Sequence, residues 1–217
     1  MIELYTGFVG SGKSFHATKR GCTIADAPAG KRYVVANFPI KPKKKFLARI
    51  PIVNKFVKNP FNEPRWVYRD NENLTVDFLI ELSDQMGWYG KESQCLLLID
   101  EAGIVFNSRD WNVKPAERKG WIQFFTQSRK LGYDIVLIVQ DSRMIDRQIR
   151  SLCEYEVQHK KMNSWAVLKY IPITIFAAVS FWNGIKSMRG SLNLCLYSKS
   201  IAERYDTLKL FGYKGKD

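Results

Sequence analysis

The segment Gly7-Phe8-Val9-Gly10-Ser11-Gly12-Lys13-Ser14 meets every fixed position of the pattern G-x-x-x-x-G-K-[ST]. Residues of these types at this spacing cradle the phosphates of a nucleotide. Glycines 7, 10 and 12 let the backbone turn its N–H groups inward, and the start of a following helix adds partial positive charge. Lys13 is then placed to reach the β and γ phosphates, and the Ser14 hydroxyl to hold Mg²⁺. The nucleotide-binding set is Gly7, Val9, Gly10, Ser11, Gly12, Lys13, Ser14 and Phe15, and the cofactors it implies are ATP and Mg²⁺.

A second group of reactive side chains lies far along the chain. Cys95-Leu96-Leu97-Leu98-Ile99 is an uninterrupted apolar run of strand length that ends in Asp100-Glu101. An acid closing a buried strand beside a phosphate loop is suited to supporting the metal, the role expected of Asp100. Its neighbour Glu101 is the candidate to orient or deprotonate an attacking water. A third run, Tyr133 to Val139, ends in Gln140, whose amide can sense the γ phosphate by donating to it or to that water. Lys13, Asp100, Glu101 and Gln140 are thus the catalytic candidates. Arg129, Arg143, Arg147 and Arg150 surround the third run. One of them can serve as an arginine finger in a neighbouring subunit's site, and the sequence does not choose among them.

These residues need a scaffold that brings three strand ends to one edge. Ile2–Thr6 reads as the strand entering the loop, Phe15 to Lys19 as the helix leaving it, and Tyr33 to Asn37 as a second buried strand. Helical spacing of Leu74, Phe78, Leu79 and Leu82 predicts a helix at about 75–87, and a further helix is expected from Pro115 to Leu131, before Gly132. Beyond Cys153 the segments 154–159, 171–182 and 191–197 read as strands extending the sheet, with a closing helix at 200–210. The expectation is one α/β domain over 1–217, with a mostly parallel central sheet flanked by helices and sheet-extending strands at about 153–198.

Composition narrows the partners. A formal charge of +13 and 46% hydrophobic residues describe a chain with a sizeable core and an affinity for anions. Between 41 and 69 there are nine Lys or Arg against the single acid Glu63, interspersed with Phe46, Phe56, Phe61 and Trp66. Such a basic insertion can bind single-stranded DNA, lie on an anionic membrane surface, or be a solvated excursion whose aromatics face the core. Cys22, Cys95, Cys153 and Cys195 are widely spaced with no C-x-x-C, which reads as buried reduced thiols and not a zinc site. No basic segment followed by an apolar one marks a secretory signal, so a cytoplasmic location is expected. The apolar part of 171–182, about twelve residues, is too short to span a bilayer, so no transmembrane segment is expected.

The order of motifs resembles the N-terminal ATPase domain of the zonula occludens toxin (Zot) family, which includes the assembly ATPases of filamentous phages. The matching pieces are Ile2 to Ser14, Ala36-Asn37-Phe38-Pro39, Leu97 to Ala102, Ser128 to Ile135, Val139-Gln140 and Tyr205-Asp206-Thr207. The resemblance implies a P-loop NTPase fold of the additional-strand, FtsK/HerA-like class. It also implies a homo-oligomer, possible as a ring, that powers export of phage through the host inner membrane with coat protein, assembly partners and single-stranded DNA. A soluble DNA packaging or transfer motor and a non-hydrolysing nucleotide-dependent adaptor are the alternatives. Family members continue into a transmembrane helix and an extracytoplasmic portion. The resemblance therefore implies that these 217 residues are a cytoplasmic portion, or that this member reaches the membrane through a partner. The tight-junction activity behind the family name is not carried over.

Overall fold

A computed structural model describes residues 1–28, 30–41, 65–107, 115–162, 174–183 and 185–205. The strands are β1 (Ile2–Thr6), β2 (Tyr33–Ala36), β3 (Trp66–Tyr68), β4 (Cys95–Ile99), β5 (Tyr133–Ile138), β6 (Tyr155–Lys161), β7 (Ile175–Trp182) and β8 (Ile185–Leu196). The helices are α1 (Lys13–Ala25), α2 (Val76–Gln85), α3 (Ala102–Val105), α4 (Pro115–Gln127), α5 (Arg147–Leu152) and α6 (Lys199–Ala202). The strands form one 8-stranded sheet in the order β3-β2-β4-β5-β1-β6-β7-β8. Pairings from β3 through β6 are parallel, and β7 and β8 add antiparallel.

The apolar runs explain the layering. Every residue of β4 and β5 is buried, because alternate side chains enter cores on opposite faces of the sheet. Leu97, Ile99, Ile135 and Leu137 pack with Leu79 of α2, the α4 residues Trp121, Phe124 and Phe125, and Ile149 of α5. Leu96, Leu98, Val136 and Ile138 pack on the other face with Ala17 and Ala25 of α1. Edge-to-face contacts run from Phe106 through Trp121 to Phe124 and on to Tyr133. The cysteines Cys22, Cys95, Cys153 and Cys195 are buried and form no disulfide with one another, and burial pushes the Cys153 thiol up to about 12.

Several boundaries differ from the sequence reading. β3 lies inside the expected 41–69 insertion, where its Trp66 ring packs over Gly21 of α1. Three residues are too few to show a periodicity. The Arg65 guanidinium donates to the carbonyls of Ala25, Ala27 and Gly30, which anchors the strand's entry. The rest of the insertion, 42–64, lies outside the described residues. The closing helix is a single turn at Lys199–Ala202. After it Tyr205 forms an antiparallel bridge to Ile40, and 206–217 lie outside the described residues. Helix α2 starts later than expected because Thr75 caps it, accepting from the Phe78 N–H. Helix α4 ends at Gln127, after which the Ser128 carbonyl accepts from the Tyr133 N–H and the Ser128 hydroxyl donates to the Phe125 carbonyl.

His16 on α1 and His159 on β6 join their rings at 2.9 Å, with Tyr5 stacked on His16. Burial, reinforced by Arg20 and Lys19, pushes His16 down to about 4. Burial also pushes His159 down to about 3, with His16 and Lys13 contributing in the same direction.

Two outcomes follow from these contacts. Phe125→Ala, at a site 2% exposed, should cost about 3–5 kcal/mol in urea unfolding, while Ile80→Ala, 44% exposed, should stay within about 0.5 kcal/mol. Because the unfolded histidines take up protons near the ordinary value of 6.5 and the folded pair resists until about 4, stability should fall as pH drops through that interval. Urea midpoints measured against pH, with the same chain carrying His16→Gln and His159→Gln, check this; the double variant should show a shallower fall.

Candidate nucleotide site

Parallel pairing places the carboxyl ends of β4, β5 and β1 side by side, with Leu4 opposite Leu137 and Leu137 opposite Ile99. The loop leaving β1, the acids leaving β4 and the glutamine leaving β5 therefore meet at one edge. Gly7 donates its N–H to the Gln140 carbonyl at 3.1 Å, which ties the first residue of the loop to the end of β5. A side chain at Gly7 would strike the His159 carbonyl, at 2.5 Å from an ideal Cβ. Gly12 has a φ of 94°, and a Cβ there would meet the Phe176 ring at 2.6 Å. The loop needs glycine at both places, for close approach and for the left-handed backbone.

A cavity of about 640 Å³ opens beside the loop. Val9, Gly10, Gly12, Lys13, Ser14 and Phe15 line one wall and Asp100, Glu101 and Gln140 another. Gly7 and Ser11 do not line that surface, and the buried Ser11 hydroxyl has no partner among the described residues. The Lys13 ammonium curls back onto the Gly7 carbonyl at 2.6 Å and the Phe8 carbonyl at 3.0 Å. Burial lowers its pKa, and the charges of Asp100 and Glu101 oppose that, so all three lie in one electrostatic neighbourhood.

Asp100 is only 4% exposed, and its surroundings account for that burial. Its Oδ1 accepts from the Glu101 N–H at 2.9 Å, and its Oδ2 from the Tyr205 hydroxyl at 2.7 Å. Asn37, just past β2, clamps the backbone on both sides. Its Oδ1 accepts from the Asp100 N–H at 2.7 Å and its Nδ2 donates to the Asp100 carbonyl at 2.8 Å. Glu101 adopts a left-handed φ of 52°, a conformation that costs a non-glycine residue energy and recurs at functional sites. Burial raises its pKa, and the Asp100 charge raises it further against the pull of Lys13.

Tyr205 and Ser14 line the same cavity, so the phenol that holds Asp100 shares a wall with the other residue expected at the metal. Burial and the Asp100 charge hold that phenol protonated far above its ordinary range. Sequence reasoning assigned no role to Asn37 or Tyr205. The only signal was their presence in segments matched by the resemblance.

The four arginines stand apart from the cavity. Arg129 pairs with Glu92 at 2.8 Å and Arg143 with Asp141 at 2.7 Å, both largely exposed. Arg150 donates to the Ser142 carbonyl, and Arg147 is exposed on the same helix. None lines the cavity in its own chain.

The residues fit a magnesium nucleotide: the loop turns on glycines 7, 10 and 12, each with positive φ, and Ser14 and Asp100 offer the oxygen donors such an ion prefers. The family model described as zonular occludens toxin (Zot) matches residues 1–190. The chain is 27% identical to the Gene 1 protein of Enterobacteria phage f1 over 216 residues, covering 100% of this chain and 57% of that protein. It thus spans about half the length of the curated relatives it matches. Among solved structures, the N-terminal domain of zonular occludens toxin from Neisseria meningitidis superposes with a TM-score of 0.51 at 18% identity, over 94% of this chain and 98% of that one. B204, the DNA-packaging ATPase from Sulfolobus Turreted Icosahedral Virus, gives 0.50 at 14% identity, over 89% and 95%. With a P-loop NTPase fold and a family match over most of its length, this chain belongs to the zonular occludens toxin (Zot) family.

Proposed function

We propose that this chain is a Mg²⁺-dependent ATPase domain, spanning 1–217, that powers assembly and export of a filamentous phage at the cytoplasmic face of the host inner membrane. The observation that carries the catalytic part is the meeting of Lys13, Ser14, Asp100, Glu101 and Gln140 around one cavity from three distant segments. Similarity to the Gene 1 protein of a filamentous phage supports the biological setting.

In this reading Lys13 leaves the Gly7 and Phe8 carbonyls for the β and γ phosphates, while the loop amides face the phosphate oxygens. A magnesium ion held by Ser14, Asp100 and the phosphates would supply charge neutralisation at the transferring group. Asn37 and Tyr205 keep the Asp100 carboxylate in register. Glu101, its basicity raised by burial, orients the attacking water and takes its proton. Gln140 donates to the γ phosphate or to that water. An arginine finger has to come from a neighbouring copy, since none of Arg129, Arg143, Arg147 and Arg150 lines the cavity of its own chain; this supports an oligomer, with a ring as its closed form. Coat protein, assembly partners and an anionic membrane surface are the proposed partners.

A soluble DNA-packaging motor is the second reading, favoured by the charge of +13 and the likeness to a DNA-packaging ATPase. Among the described residues no helix is long and apolar enough to cross a membrane. The carboxylate of Glu101, carried on a left-handed backbone at the cavity wall, speaks against a non-hydrolysing adaptor.

ATP turnover by the oligomerised chain tests the reading. Glu101→Gln should lower turnover by about 100-fold or more while ATP still binds, and Lys13→Ala should abolish binding itself. Equal, near-zero rates in wild type and Glu101→Gln would leave only the adaptor. Stimulation by anionic liposomes or coat protein with DNA inert should accompany the export role. Single-stranded DNA that raises turnover with a steep salt dependence would instead select the packaging motor.

A further inference from the structure

The nucleotide cavity has a wall that phosphate chemistry does not use. Phe176 of β7, Tyr197 just after β8, and Lys199, Ala202 and Glu203 in and beside α6 line the same space as Gly12, Lys13 and Ser14. Phe15 follows Ser14 directly, and its ring lies 5.5 Å from Tyr197 at 25° between planes and 5.6 Å from Phe176. Phe176 is buried against Gly12, whereas Tyr197 is 47% exposed. The aromatic cluster thus has a packed inner side and an open outer one.

Resting on the nucleotide reading above, we propose that Tyr197, backed by Phe15, is the stacking platform for a purine base, with Lys199 and Glu203 at its edge. Direction along the ligand dictates the placement. The terminal phosphate has to face Asp100, Glu101 and Gln140, so the opposite end of the nucleotide is left to the wall built by β7, Tyr197 and α6. The space between Phe15 and Tyr197 is already closed at stacking distance, so the base lies on the outer face of Tyr197. Lys199 and Glu203 stand 3.9 Å apart as a loose, exposed pair. Side by side they present a donor and an acceptor, matching the alternating acceptors and amino groups on a purine edge. A purine's larger face gains more from such a platform than a pyrimidine's. The strands after β6 then finish the nucleotide site as well as widening the sheet.

Equilibrium binding of the full chain to ATP and to ribose 5-triphosphate, which carries no base, each with Mg²⁺, tests the platform. Wild type should prefer ATP by roughly tenfold or more, the range expected of one base on one aromatic ring. Tyr197→Ala should bring the two ligands close to equal by weakening ATP alone, and Tyr197→Phe should restore the gap, which separates stacking from folding. Equal affinities in wild type, or a gap that survives Tyr197→Ala, would overturn the platform and leave the phosphate site standing. Failure of wild type to bind either ligand would overturn both, together with the ATPase reading.

Discussion

The site depends on a central parallel sheet that is buried on both faces. Because β4 and β5 send alternate side chains into two separate cores, their register against β1 cannot slip without driving a whole set of apolar residues onto the wrong face. That constraint fixes the heights at which Thr6, Ile99 and Ile138 end. It therefore fixes where the loop, the acids and Gln140 emerge. The Gly7 N–H to Gln140 carbonyl bond records this alignment at the point where it matters.

Around that edge the main electrostatic cost is the buried carboxylate of Asp100. An unpaired anion this far from water would be strongly destabilising. Here two donors reach its oxygens, Asn37 holds its backbone, and the Lys13 ammonium lies within electrostatic influence. The carboxylate's two donors come from the turn after β4 and from the segment after α6, and the backbone clamp from the residue just past β2. Such a network is rigid when complete and costly when one member is lost. Glu101 next door is treated differently, partly exposed and held in a left-handed backbone. Two adjacent acids thereby acquire two different environments.

The last three strands, β6 parallel to β1 and β7 and β8 antiparallel, do more than lengthen the sheet. His159 of β6 presses its carbonyl against Gly7, and Phe176 of β7 seats its ring against Gly12, so the phosphate loop is backed by the last parallel strand and the first antiparallel one. Past β8 the chain returns to the site, where Arg204 pairs with Asp26 and Tyr205 bridges to Ile40. The end of the described chain is thus bound to the start of the catalytic edge.

Much of this was written locally. The loop from Gly7 to Ser14, the apolar runs of β4 and β5, and the polar residues that end them follow from short-range rules of spacing and burial, and the structure brings Lys13, Asp100, Glu101 and Gln140 to one cavity as the sequence predicts. Other features were illegible because their cause is not local. β3 is three residues inside a basic run, stabilised by pairing with β2 and by Trp66 over Gly21. Asn37 and Tyr205 act only because strand order carries them to Asp100 across 63 and 105 positions of chain. Residue type and periodicity determined which elements form and which side chains could do chemistry. The packing of those elements decided which polar groups find one another, since a hydrogen bond between distant segments leaves no periodic trace in either.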